Sequence, residues 1–81
     1  MSTIDNLRKS YRELKQARPD ATFLFHDEGK YWFFEKDCRA VCDVMDWQCV
    51  GNAMYFEAGF LDRVLPRLLR YGLRVYVEQD V

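Results

Sequence analysis

Eighty-one residues, 49% of them hydrophobic, suffice for one domain over residues 1–81 with a single core and little stability to spare. Twelve lysines and arginines against 13 aspartates and glutamates leave a net charge of −1, which excludes a chain-wide basic field of the kind that drives non-specific nucleic-acid binding. No apolar run approaches the roughly 20 residues that span a bilayer, and Met1 to Asn6 hold no apolar signal core, so a soluble, cytoplasmic chain without a membrane partner is expected.

Residues 3 to 17 carry Ile4, Leu7, Tyr11 and Leu14 at helical spacing, with Arg8, Lys9, Arg12, Glu13 and Lys15 on the remaining faces. The spacing predicts an amphipathic helix that stops by Arg18, because Pro19 disfavours helical geometry in the residue before it. Its basic residues read as a solvated face. Phe23 to Phe25 and Tyr31 to Phe34 then flank Asp27-Glu28-Gly29-Lys30, a polar segment with the glycine that a tight reversal needs, and the pair reads as a β-hairpin. In its second strand Tyr31 and Phe33 point to one side and Trp32 and Phe34 to the other. Either both sides are covered or one is a binding surface.

Helical period returns with Cys38, Val41, Cys42 and Met45, one stripe of a second helix from Glu35 to Met45. Trp47 to Val50 reads as a short strand, Gly51-Asn52 as a turn and Ala53 to Phe56 as a partner strand. From about Ala58 to Tyr71, Leu61, Val64, Leu65, Leu68 and Leu69 mark a third helix closed by Gly72, with Pro66 inside it where it should bend or loosen the turn. Leu73 to Gln79 alternates as a half-buried last strand. The expected fold is α+β: about three helices on a mixed β-sheet, in the order α-β-β-α-β-β-α-β.

An odd number of cysteines, Cys38, Cys42 and Cys49, argues against a disulfide framework, and their spacing lacks the short Cys-x-x-Cys knuckles of structural zinc sites. Reduced, metal-free, buried thiols are expected at Cys38 and Cys42. Enzyme chemistry finds little support. His26 beside Asp27 and Glu28 falls in the hairpin turn, the thiols fall on a core stripe, and no glycine-rich phosphate loop exists. Neither catalysis nor a cofactor is expected.

The order of these pieces resembles the N-terminal, mismatch-recognition domain of the MutS family of DNA mismatch-repair proteins, here as a stand-alone domain. The residues that carry the resemblance are Pro19-Asp20, Phe23-Leu24-Phe25, Gly29, Tyr31 to Phe34 and Asp37, then Met54, Leu65-Pro66-Arg67-Leu68 with Gly72, and the closing Val75-Tyr76-Val77-Glu78-Gln79. In the family, glycine is followed by an acidic residue and Phe-Tyr-Glu, where the phenylalanine stacks on the mispaired base and the glutamate hydrogen-bonds to it. Here Lys30, Tyr31, Trp32 and Phe33 follow Gly29. The resemblance therefore puts Tyr31 at the stacking position and Phe33 at the glutamate position, where a phenyl ring cannot accept the hydrogen bond.

The expected function is an accessory or interaction module associated with DNA metabolism, its partner either weakly bound DNA or a DNA-processing protein. One alternative is a weak nucleic-acid binder that stacks bases on Tyr31, helped by Lys30 and by Phe33 as a second apolar platform. Another is a homodimeric structural domain. Without the glutamate, mismatched and matched duplexes should bind equally and poorly.

Overall fold

The computed structural model describes residues 3–79. Its elements are α1 (Thr3–Ala17), β1 (Ala21–Asp27), β2 (Lys30–Phe34), α2 (Glu35–Met45), β3 (Ala53–Glu57), a single 3-10 turn (Ala58–Phe60), α3 (Leu61–Tyr71) and β4 (Arg74–Gln79). Three helices against a four-stranded mixed sheet make the α+β fold expected from the sequence. Strand order is β3-β2-β1-β4, with β1 antiparallel to β2, β2 antiparallel to β3, and β1 parallel to β4.

The hairpin closes through Glu28 and Gly29, both at positive φ (49° and 77°), as a two-residue turn whose twist matches the strands. Its register pairs Phe25 with Trp32, His26 with Tyr31 and Asp27 with Lys30. Gly72 ends α3 at φ 108°, donating its N–H to the carbonyls of Leu68 and Leu69, the left-handed closure that glycine adopts without penalty. Pro66 lies inside α3, where it forgoes one backbone bond, yet the helix runs on to Tyr71.

One expected strand does not form. Trp47 to Val50 is exposed, irregular chain that links the left-handed cap of α2 at Asp46 to the turn before β3. No described strand pairs with it, and β3 takes its ladder bonds from β2 alone. Asn52 instead uses its carbonyl to accept the N–H of Glu35 at 2.8 Å, tying the start of β3 to the start of α2.

Alternation along the strands builds two cores, one per face. Leu24, Tyr31, Phe33 and Phe56 lie under α2 and α3 with Cys38, Val41, Cys42, Val64 and Leu68. On the other face Ala21, Phe23, Phe25 and Phe34 meet Leu7 and Tyr11 of α1. Large apolar groups point both ways in β2 because both of its faces are packed.

Candidate functional site

The three residues expected to meet nucleic acid do not share a surface. Tyr31 is 8% exposed, its ring centroid 4.9 Å from that of His26 and 5.6 Å from that of Phe56. Phe33 is fully buried under α2, where the Cys38 thiol donates to its carbonyl at 3.0 Å. Lys30, one position before Tyr31, points to the opposite face, and its Nζ sits 4.7 Å from the centroid of the Tyr55 ring. Period-two alternation makes this separation unavoidable.

A different row of side chains runs along the α1 face where the helix ends. Lys30 covers Tyr55; Tyr55 lies 4.8 Å from Trp32; Trp32 stacks nearly parallel on Phe34 at 6.4 Å; and the Arg8 guanidinium sits 5.9 Å over Phe34. Tyr55 is exposed and Trp32 half-buried, so this end of the sheet shows aromatic surface to solvent. The row was legible only in part: Trp32 and Phe34 share a face by period, but their alignment with Tyr55 needs the β2–β3 register. Carboxylates border it, since Lys30 is paired across the sheet with Asp27 on one side and Glu57 on the other.

The other face of the β3 edge carries an apolar groove of about 470 Å³ between Trp47, Met54, Phe56 and Phe60. Trp47 and Phe60 are both partly exposed there. As the outermost strand, β3 has no strand neighbour on one side among the described residues.

Asp37 has a structural part. Its carboxylate is 1% exposed, accepts the Lys15 ammonium at 2.7 Å and the Phe23 backbone N–H at 2.9 Å, and so joins α2, α1 and β1. Burial raises the Asp37 carboxyl above its usual value, and the bonds from Lys15 and Phe23 offset part of that rise. Burial likewise pushes the Tyr11 phenol to about 12.

Cys38 and Cys42 are buried as expected, and Cys49 is exposed. Burial, the largest cause, raises the Cys38 thiol to about 12 and the Cys42 thiol to about 11, which keeps both protonated and poorly nucleophilic at neutral pH. Among the described residues no three His, Cys, Asp or Glu side chains gather as a metal site, and no helix is long and apolar enough to cross a membrane.

No family model matches the chain. An 80-residue alignment covering 88% of it is 34% identical to the DNA mismatch repair protein MutS of Porphyromonas gingivalis (strain ATCC BAA-308 / W83). The aligned part is 9% of that protein, so the chain spans a small fraction of its relative. Over 88% of its length, then, the chain is similar to a region of a MutS protein.

Proposed function

We propose that this domain is a non-catalytic, MutS domain I-like module that serves DNA metabolism through interaction and does not read mispaired bases. The observation that carries the reading is the state of Phe33. It stands where the resembled motif has a hydrogen-bonding glutamate, and its ring is sealed in the core. A mispaired base then meets neither an acceptor nor a free phenyl face. Stacking on Tyr31, the alternative, requires that ring to leave its place between His26 and Phe56.

Protein contact is favoured by the unpaired outer side of β3 together with the groove between Trp47 and Phe60, a combination that suits an added strand bearing an apolar side chain. Self-association through the same edge is the homodimeric form of this reading.

Titration of the domain with a mismatched and a matched oligonucleotide duplex in moderate salt tests it. The expected outcome is weak binding with equal affinities. A preference for the mismatch above about tenfold, which is roughly 1.4 kcal/mol, would overturn the proposal.

A further inference from the structure

The near-zero net charge conceals a segregated one. Residues 20–57 hold eight carboxylates against three cations, whereas residues 63–74 hold four arginines and no carboxylate. Three of these, Arg63, Arg67 and Arg70, recur at four and three in α3 and so lie within one exposed stripe about 10 Å long. An ordinary solvated helix face mixes signs, because like charges three and four apart repel. Among the described residues none of the three has a carboxylate within ion-pair distance, in contrast to Arg12 with Glu35, Lys15 with Asp37 and Arg74 with Asp20.

The stripe is also partly ordered. Arg67 donates from Nη2 to the Val44 carbonyl at 3.3 Å, which anchors one nitrogen and leaves the rest of the fork to solvent. Arg63 sits 6.0 Å over the Phe60 ring. Next to Arg67 and Arg70 stands Tyr71, 70% exposed, and these three with Val44 line an open recess of about 260 Å³. A tyrosine in that position covers no core. It offers a free aromatic face flanked by guanidinium groups, the pairing that tracks a sugar-phosphate backbone while stacking an unpaired base.

We infer that the outer face of α3 binds single-stranded nucleic acid, with Arg63, Arg67 and Arg70 on successive phosphates and Tyr71 stacked on a base. The site lies on an element that takes no part in the mismatch-reading motif, so it stands or falls separately from the reading above. Duplex preference for a mismatch would sink that reading and leave this one untouched.

Fluorescence anisotropy of a labelled oligothymidylate of about 15 nucleotides, titrated with the full chain at low salt, provides the test. Wild type should bind, with a log–log salt slope of about −2, as expected for three phosphates on a single strand. Exchanging both Arg67→Glu and Arg70→Glu should weaken binding at least about tenfold, and the milder Arg67→Ala with Arg70→Ala should fall between. Tyr71→Ala should lose about threefold or more, while Tyr71→Phe, which keeps the ring, should match wild type. Lys9→Glu with Lys36→Glu, the same change in net charge placed on α1 and α2, should move affinity by less than about twofold. Absence of binding by wild type would overturn the inference, as would equal losses in the two charge-reversal pairs or an unaffected Tyr71→Ala. So would tighter binding to duplex, or equal binding to vesicles of anionic lipid. Circular dichroism of every variant should be that of wild type, since all the exchanged side chains are exposed.

Discussion

The two faces of the sheet are covered in different ways. On the α2/α3 side the enclosed groups are mainly hydrocarbon, aromatic rings and thiols, with Phe33, Cys38, Val41 and Leu68 wholly buried. On the α1 side the helix is fastened partly by charge: Lys15 to Asp37, Arg12 to Glu35, Arg8 over Phe34, and Arg18 to the hydroxyl and ring of Tyr76. The buried side chains of the first face, Phe33, Cys38, Val41 and Leu68 among them, carry no charge to receive a new polar group. The second already manages several, and beyond the end of α1 it stays open at Trp32 and Tyr55. Position 33 lies on the closed face of β2, where a carboxylate would be buried.

Phe33→Glu gives the largest expected effect, because restoring the acidic residue of the resembled motif would bury an unpaired carboxylate. The loss should reach about 5 kcal/mol, enough to leave a domain of this size largely unfolded in urea titrations. A well-folded Phe33→Glu protein would show that the apolar face opens readily, and would break the comparison.

Asp37→Ala probes the charged fastening. It strands the Lys15 ammonium and the Phe23 N–H, at an expected cost of about 3–5 kcal/mol at neutral pH, measured by the same titration. A cost below about 1 kcal/mol would mean that the Lys15–Asp37 pair adds little to the hold on α1.

Thiol labelling reads the burial of the α2/α3 face directly. In the native protein only Cys49 should react with a small alkylating reagent, and all three cysteines should react in denaturant. Native labelling of Cys38 or Cys42 at a rate near that of Cys49 would contradict the packing described.

A smaller effect is the pH slope of Asp37. Because burial raises its carboxyl above 3.8, the folded protein holds this proton more tightly than the unfolded chain does. Its contribution to stability is therefore full below 3.8 and is lost as pH rises through the elevated value. Wild type should gain on Asp37→Asn as pH falls from neutral to about 3; the opposite trend would show that Lys15 and Phe23 outweigh burial. Smallest of all, Tyr55→Ala at the open end of the α1 face should change stability by no more than about 1 kcal/mol.

Much of the fold was legible in the chain because its signals are local. The switch from helical period through Leu14 to alternation at Tyr31, the glycine at the hairpin and the glycine behind Tyr71 each depend on residues a few positions apart. The strand expected at Trp47 to Val50 was not legible in this way, since a short apolar run becomes a strand only when it pairs with a neighbour in space, and this one stays unpaired although the outer side of β3 is open to it. The candidate site divided along the same line. Alternation alone was enough to set Tyr31 and Phe33 on one face and Trp32 and Phe34 on the other.

What no stretch of sequence decided was which of those faces would be covered, where the charges would meet, and which would be left unmet. Burial of Tyr31 and Phe33 comes from α2 and α3, whose residues follow in the chain and pack across it. Basic residues in α1 and α3 look alike when read along the chain, yet Arg12 and Lys15 find carboxylates 22 or 23 residues away while Arg63, Arg67 and Arg70 find none among the described residues. Period is a property of neighbours in sequence, and neutralisation is a property of neighbours in space, so only the packed chain could separate a pinned helix from a free basic surface.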